Sequence, residues 1–254
     1  MIIWRGASLL DGKPIVVVLT HGSRNRKTGR MAQTWILRSD IDPMTAVKLG
    51  KDASVCGDCI HRGHGTKSRS CYVNVGQAPL AVYRKFVRGG YSPLDLALLR
   101  KILSKHCLRI GSYGDPLAVP AYVWKAILAL SSGHTGYTHQ WGQDHAVGYK
   151  DFLMASCDSL REKEVAQQCG WRTFRVMAKG ETCSAGEFVC PASAEQSYRL
   201  TCAECKACNG AGKNAKRASV AITVHGNSAI AANGQHKLAA LIGLGLSKLG
   251  GYSL

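Results

Sequence analysis

The chain has 254 residues, 46% of them hydrophobic, and a formal charge of +17 from 33 Lys and Arg against 16 Asp and Glu. This length and apolar content exclude a disordered chain, and no apolar run reaches the ~20 residues that a membrane span needs. The charge excludes an acidic solvating protein and points to a polyanionic partner, nucleic acid first, against the blander reading of a generally basic surface.

The first residues lack the basic, apolar and small-residue order of a signal peptide, so the expected location is the cytoplasm. Residues 15–20 and 32–38 read as two strands of an N-terminal β-hairpin. The turn between them, HGSRNRKTGR, holds Arg24, Arg26, Lys27 and Arg30. In a loop these four reach outward, and they are the expected phosphate-tracking residues. Residues 43–50 read as a short helix, capped by Asp42 with Pro43 at its first position.

The next stretch, VCGDCIHRGHGTKSRSCYV, spans residues 55–73 and carries Cys56, Cys59 and Cys71. The chain has eleven cysteines. That count is high and odd for a cytosolic protein, where clustered cysteines point to metal or catalysis rather than disulfides. His61 or His64 as a fourth ligand would make a closed Cys₃His zinc site. Three cysteines alone would leave one iron of a four-iron cluster open.

Helices then alternate with strands. APLAVYRKFVRGG and PLDLALLRKILSKH read as helices, and CLRIGSYGDP as a strand entering a Gly-rich turn. VPAYVWKAILALSSG reads as a helix, TGYTHQW and DFLMASCDS as strands, and LREKEVAQQCG as a helix ended by Gly170. WRTFRVMA, EFVCPA and ASVAITVHG read as strands, and HKLAALIGLGLSKL (236–249) as a closing helix. This rhythm argues for parallel βαβ units. The expected fold is a single α/β domain over 1–254, a complete or partial TIM-like β/α barrel with the N-terminal hairpin and two cysteine-rich loops. An open doubly wound sheet is the alternative.

In a barrel, chemistry gathers at the carboxyl ends of the strands. That places Gly114, Asp115, His139, Gln140, Trp141, Asp158, Ser159 and Cys190 near one another. Asp115 and His139 are the candidate proton-transfer residues. Asp158, in CDSLREKE, reads chiefly as a helix cap. Tyr137 and Trp141 offer faces for base stacking. His134 reads as a structural histidine, and His225, in VHGN, as a ligand or a turn residue.

The second loop, residues 190–210, supplies Cys190, then Cys202, Cys205 and Cys208 at successive intervals of three. A tight run of this kind wraps an iron–sulfur cluster, with a remote Cys-Pro completing the set, and Cys190 precedes Pro191. The expected cofactor is a 4Fe-4S cluster on these four residues, with zinc as the rival. Cys107, Cys157 and Cys169 read as small core residues, and Cys183 as a spare ligand. Lys213, Lys216 and Arg217 form a second basic loop. No Walker loop, nucleophile elbow or Rossmann fingerprint is present.

Together, VCGDCIHRG…SCYVNVGQAP, RIGSYGDPLAVP, GYTHQW, MASCDS, GWRTFRV and VCPAS…TCAECKACNG resemble a family of uncharacterised phage, prophage and plasmid proteins, over roughly residues 15 to 226. That resemblance implies a mobile-element origin and a single domain in the host cytoplasm. At fold level, three cysteines after an early strand are similar to the plan of radical S-adenosylmethionine barrels. Their spacing here is Cys-x-x-Cys, eleven residues, then Cys, where that superfamily has Cys-x-x-x-Cys-x-x-Cys. The similarity implies a methionine-cofactor site lined by Gly111, Gly114 and Trp141, and a modification reaction on nucleic acid. Two readings from other classes stand beside it: a zinc-stapled nucleic-acid-binding protein without catalysis, and a phage protein that binds a host factor.

Overall fold

The computed structural model describes residues 1–23, 25–63, 69–212 and 217–224. The expected helix at 236–249, and Arg24, His64, Lys213, Lys216 and His225, lie outside these. The chain opens with β1 (Ile2–Ala7), β2 (Pro14–Thr20) and β3 (Ala32–Arg38), followed by α1 (Pro43–Lys48) and α2 (Ala53–Cys56). The helices α3 (Ala78–Val87) and α4 (Leu96–Leu103) lead to β4 (Leu108–Tyr113), α5 (Ala121–Leu128), β5 (His134–Thr135) and β6 (Tyr137–Thr138). Then come β7 (Met154–Cys157), α6 (Leu160–Gln168), β8 (Thr173–Met177), β9 (Glu187–Val189), α7 (Cys202–Cys205) and β10 (Ser219–Thr223).

These elements make a mixed α/β fold with two five-stranded sheets, ordered β1-β2-β3-β4-β5 and β6-β7-β8-β10-β9. The β2–β3 pair is the expected antiparallel hairpin, extended on its outer side by β1. From β3 onward every pairing is parallel. The chain passes from the first sheet to the second through Gly136 alone. His134 and Thr135 pair with β4, while Tyr137 and Thr138 pair with β7. A Cβ at Gly136 would sit 2.6 Å from the Leu153 side chain, so the crossing requires glycine.

Local signals account for several element ends. Asp42 accepts from the Met44 and Thr45 amides, with Pro43 opening α1. Asp95 caps α4 and Ser159 caps α6 in the same manner. Strand β1 lies outside the expected set: Met1 and Ile3 are buried and its other side chains at least partly open, a half-buried pattern too short for periodicity to reveal.

The sheet faces carry different cores. Ala155 and Cys157 of β7 join the larger core with Ala166 and Trp171, on the side where α6 packs. Their neighbour Met154 joins a smaller core with Val220, Ile222, Cys107, Cys190, Cys202 and Cys208. Successive strand residues point to opposite faces. The second cysteine loop therefore covers the face turned away from α6.

Candidate functional site

The second cysteine loop is shaped by its caps. Thr201 and Glu204 form a capping box at the start of α7, and Lys206 ends it in the left-handed region at φ 51°. That reversal turns Cys208 back beside Cys202 and Cys205. Cys190 follows β9 directly, and its amide donates to the Ala221 carbonyl. All four cysteines, with Thr135, Tyr137, Pro191, Ala192, Lys206, Ala207 and Val220, line one pocket.

The basic turn after β2 docks on this loop. The Cys202 amide donates to the Lys27 carbonyl, and the Ala203 amide to that of Thr28. Gly29, at φ +67°, lies so near Thr201 that a Cβ would come within 2.9 Å of its hydroxyl. Burial pushes the Lys27 ammonium down, and the charges of Cys190, Cys202 and Cys208 pull it back up. Burial likewise pushes the Cys190, Cys202 and Cys208 thiols up. Lys27 opposes this at Cys190 and Cys202, and Arg109 at Cys202. The Lys27 charge is thus coupled to those of the sulfurs. Arg26 lies over the Tyr198 ring, 4.7 Å from its centroid, and Arg30 is exposed.

In the first loop, Cys56 is the last residue of α2, and Gly57 follows at φ +60°. A Cβ on Gly57 would fall 2.3 Å from the Gln140 side chain, which itself donates to the Cys56 carbonyl. The Cys59 amide donates to the Cys56 carbonyl, and the Cys71 amide to that of His61. Burial raises the Cys56 thiol well above its ordinary range, and the charges of Asp52, Cys59 and Cys71 raise it further. The three cysteines therefore share one electrostatic environment. Two arginines of this loop are structural: Arg62 (2.8 Å) and Arg69 (3.6 Å) neutralise the buried Asp52 carboxylate.

His61 Nδ1 lies 2.9 Å from Ser70 Oγ and its Nε2 2.9 Å from Asp158 Oδ1, so both ring nitrogens have hydrogen-bond partners. Asp158 is not the cap of α6; Ser159 is, and the Asp158 carboxylate reaches back to the first cysteine loop instead.

The carboxyl ends of β4, β6 and β7 bring Asp115, His139 and Asp158 into one region, as the barrel argument expected. Asp115 accepts from the Leu117 amide (3.0 Å), the Thr138 hydroxyl (2.7 Å) and the His139 amide (2.8 Å). It is buried and ties the ends of β4 and β6 together, so its observed contacts are those of a structural tether. Burial pushes its pKa up to about 6, against these donors. Cys190 stands apart from this group, in the second loop.

The residues expected to line a methionine-cofactor site are taken up by packing. Trp141 is 2% exposed and donates its indole N–H to the Ser156 carbonyl. A Cβ at Gly114 would meet Ile36 at 2.7 Å, and one at Gly111 the Gly114 carbonyl at 2.7 Å. Tyr137 packs on Phe174 with ring centroids 4.4 Å apart and carries Arg109 at 5.4 Å on its ring, which leaves little face for a base. Cys183 has Glu187 and Arg175 as its charged neighbours and does not line the four-cysteine pocket.

Two features carry no local sequence signal. One is the His61–Asp158 contact across 97 residues. The other is Arg109, which is buried, donates to the Tyr72 hydroxyl beside Cys71, and also feels Cys202 of the other loop.

No protein-family model, curated protein or solved structure matches the chain. Among the described residues, no helix is long and apolar enough to cross a membrane.

Proposed function

We propose that this is a metal-cluster protein, with a 4Fe-4S cluster held by Cys190, Cys202, Cys205 and Cys208, and a second, open centre on Cys56, Cys59 and Cys71. The observation that carries the reading is the convergence of the four cysteines of the 190–210 loop on one pocket. The donor set fits the group. Thiolates bind iron, the pocket is apolar, and the Lys27 and Arg109 charges offset the negative charge of ligating sulfurs. Zinc, at about 2.3 Å from each sulfur, is the rival occupant of the same four residues.

The first centre lies beside the carboxyl ends of parallel strands, where α/β folds place their chemistry. With three sulfurs as ligands, one coordination position is left to a substrate atom. The substrate class we infer from the +17 charge is nucleic acid, met on one side by Arg26 and Arg30. The motif resemblance to phage, prophage and plasmid proteins suits modification of phage or host nucleic acid on a barrel-like scaffold in the host cytoplasm. We propose no S-adenosylmethionine at this centre, because Gly111, Gly114 and Trp141 are engaged in packing.

Purification without oxygen, followed by a visible spectrum and assays of iron, sulfide and zinc, tests this. Brown protein with iron and sulfide in equal amounts is expected. Colourless protein with about two zinc ions per chain would replace the reading with a zinc-stapled binding protein, since zinc is redox-inert.

A further inference from the structure

We propose that His61, His139 and Asp158 form a divalent-cation site of the two-histidine, one-carboxylate type, separate from both cysteine sets. Their ligand atoms lie within 4.8 Å of one another. They come from three elements: His61 from the short 3-10 turn Ile60–Arg62, His139 directly after β6, and Asp158 directly after β7. Metal bonds of about 2.0–2.2 Å bring nitrogen and oxygen ligands to roughly 3–3.5 Å apart. His61 Nε2 and Asp158 Oδ1 already stand at 2.9 Å. A cation entering between them takes the Nε2 lone pair and the Asp158 oxygen: an imidazolium gives its Nε2 proton to water, and a neutral ring protonated at Nε2 moves that proton to Nδ1, where Ser70 Oγ accepts it in a hydrogen bond.

The surroundings are those of an oriented ligand set. Ser70 Oγ sits on His61 Nδ1 and fixes the ring with Nε2 toward Asp158. A hydroxyl donates or accepts as required, so it serves the imidazole both before and after the proton at Nε2 is replaced. The His139 ring meets His61 edge-on, with centroids 5.7 Å apart, and its main-chain N–H is pinned by Asp115. Asp115 is thus a positioning residue for His139. The nearby guanidinium groups of Arg62 and Arg69 are directed to Asp52, so neither takes the Asp158 carboxylate.

Imidazole and carboxylate ligands without sulfur suit Mn²⁺, Fe²⁺ or Zn²⁺ as single ions. Three protein ligands leave open positions for water or a substrate oxygen. His61 and Asp158 are buried, and His139 is partly exposed.

The test uses the full chain, purified without oxygen with its own metal content, and Mn²⁺ as the probe, read by electron paramagnetic resonance. Mn²⁺ prefers oxygen and nitrogen donors to thiolates. One bound Mn²⁺ per chain is expected. His139→Ala and Asp158→Asn should each weaken binding by about tenfold or more, and Ser70→Ala by about tenfold. His139→Ala is the decisive variant, because that side chain is partly exposed and its loss spares the core. Iron and sulfide measured on the same samples read the cysteine centres separately, so failure of either proposal shows without the other. No stoichiometric Mn²⁺ binding by the unmodified protein, or equal binding by His139→Ala, would overturn the site.

Discussion

Asp115 accepts three hydrogen bonds and still has its pKa pushed up to about 6, because burial penalises its charge more than the donors repay. The folded chain therefore holds this proton more tightly than the unfolded chain, whose carboxyl titrates near 4. The stabilisation is complete below about pH 4 and is lost as pH rises through 6. At about 1.4 kcal/mol per pH unit, the loss reaches about 3 kcal/mol. Urea unfolding from pH 4 to pH 7 should show that decline, and Asp115→Asn, with no charge to acquire, should flatten it. Arg175 is the opposite case. Its guanidinium is fully buried against the equally buried Glu187 (2.8 Å), with Glu181 as a second partner. Burial alone would raise the Glu187 carboxyl, but hydrogen bonds from Arg175 and Ser184 outweigh it and hold the pKa below the usual range. Arg175→Met leaves that carboxylate buried without its cation and should cost about 3–5 kcal/mol in urea unfolding. A cost under about 1 kcal/mol would show that the pair adds nothing.

The turn between β2 and β3 reads, as a sequence, like four equivalent basic residues. Docked on the second cysteine loop, it divides the labour. Lys27 is electrostatically coupled to the sulfurs, Arg26 lies over Tyr198, and Arg30 remains exposed. Lys27→Met should accordingly lower the metal retained per chain and leave nucleic-acid affinity within about twofold. The Arg26→Ala/Arg30→Ala pair should do the reverse. Removing two phosphate contacts lowers the slope of log affinity against log salt by about 2. An unchanged slope would remove this turn from the nucleic-acid surface. The division was not legible in the sequence, because what separates Lys27 from its neighbours is a backbone contact with Cys202, far along the chain. Cysteine spacing, helix caps and the Gly-rich turn were legible, since each is a local pattern with a local cause. The reassignment of Asp158 from cap to His61 partner has the same origin: Ser159, one residue on, takes the cap, and only the folded chain shows where the freed carboxylate goes.

Across the whole molecule, the parallel strands from β3 onward do two things with their ends and faces. The carboxyl ends of β4, β6 and β7 gather Asp115, His139 and Asp158 beside the three-cysteine loop, and the face turned from α6 carries the four-cysteine loop. Arg109 lies between them, bonded to Tyr72 at 2.9 Å and electrostatically coupled to Cys202. Alternation of helices and strands was enough to foresee the carboxyl-end grouping. It could not foresee the second loop's position, because a loop packed on a sheet face leaves no periodicity of its own. The central claim is that each cysteine set holds its own iron centre. It is tested most directly by counting iron and sulfide per chain in anaerobically purified protein and in its Cys71→Ser and Cys208→Ser variants. Two independent centres predict about eight irons in the unmodified chain and about four in each folded variant. Iron content unaffected by either substitution, or zinc in place of iron in all three proteins, would contradict the account.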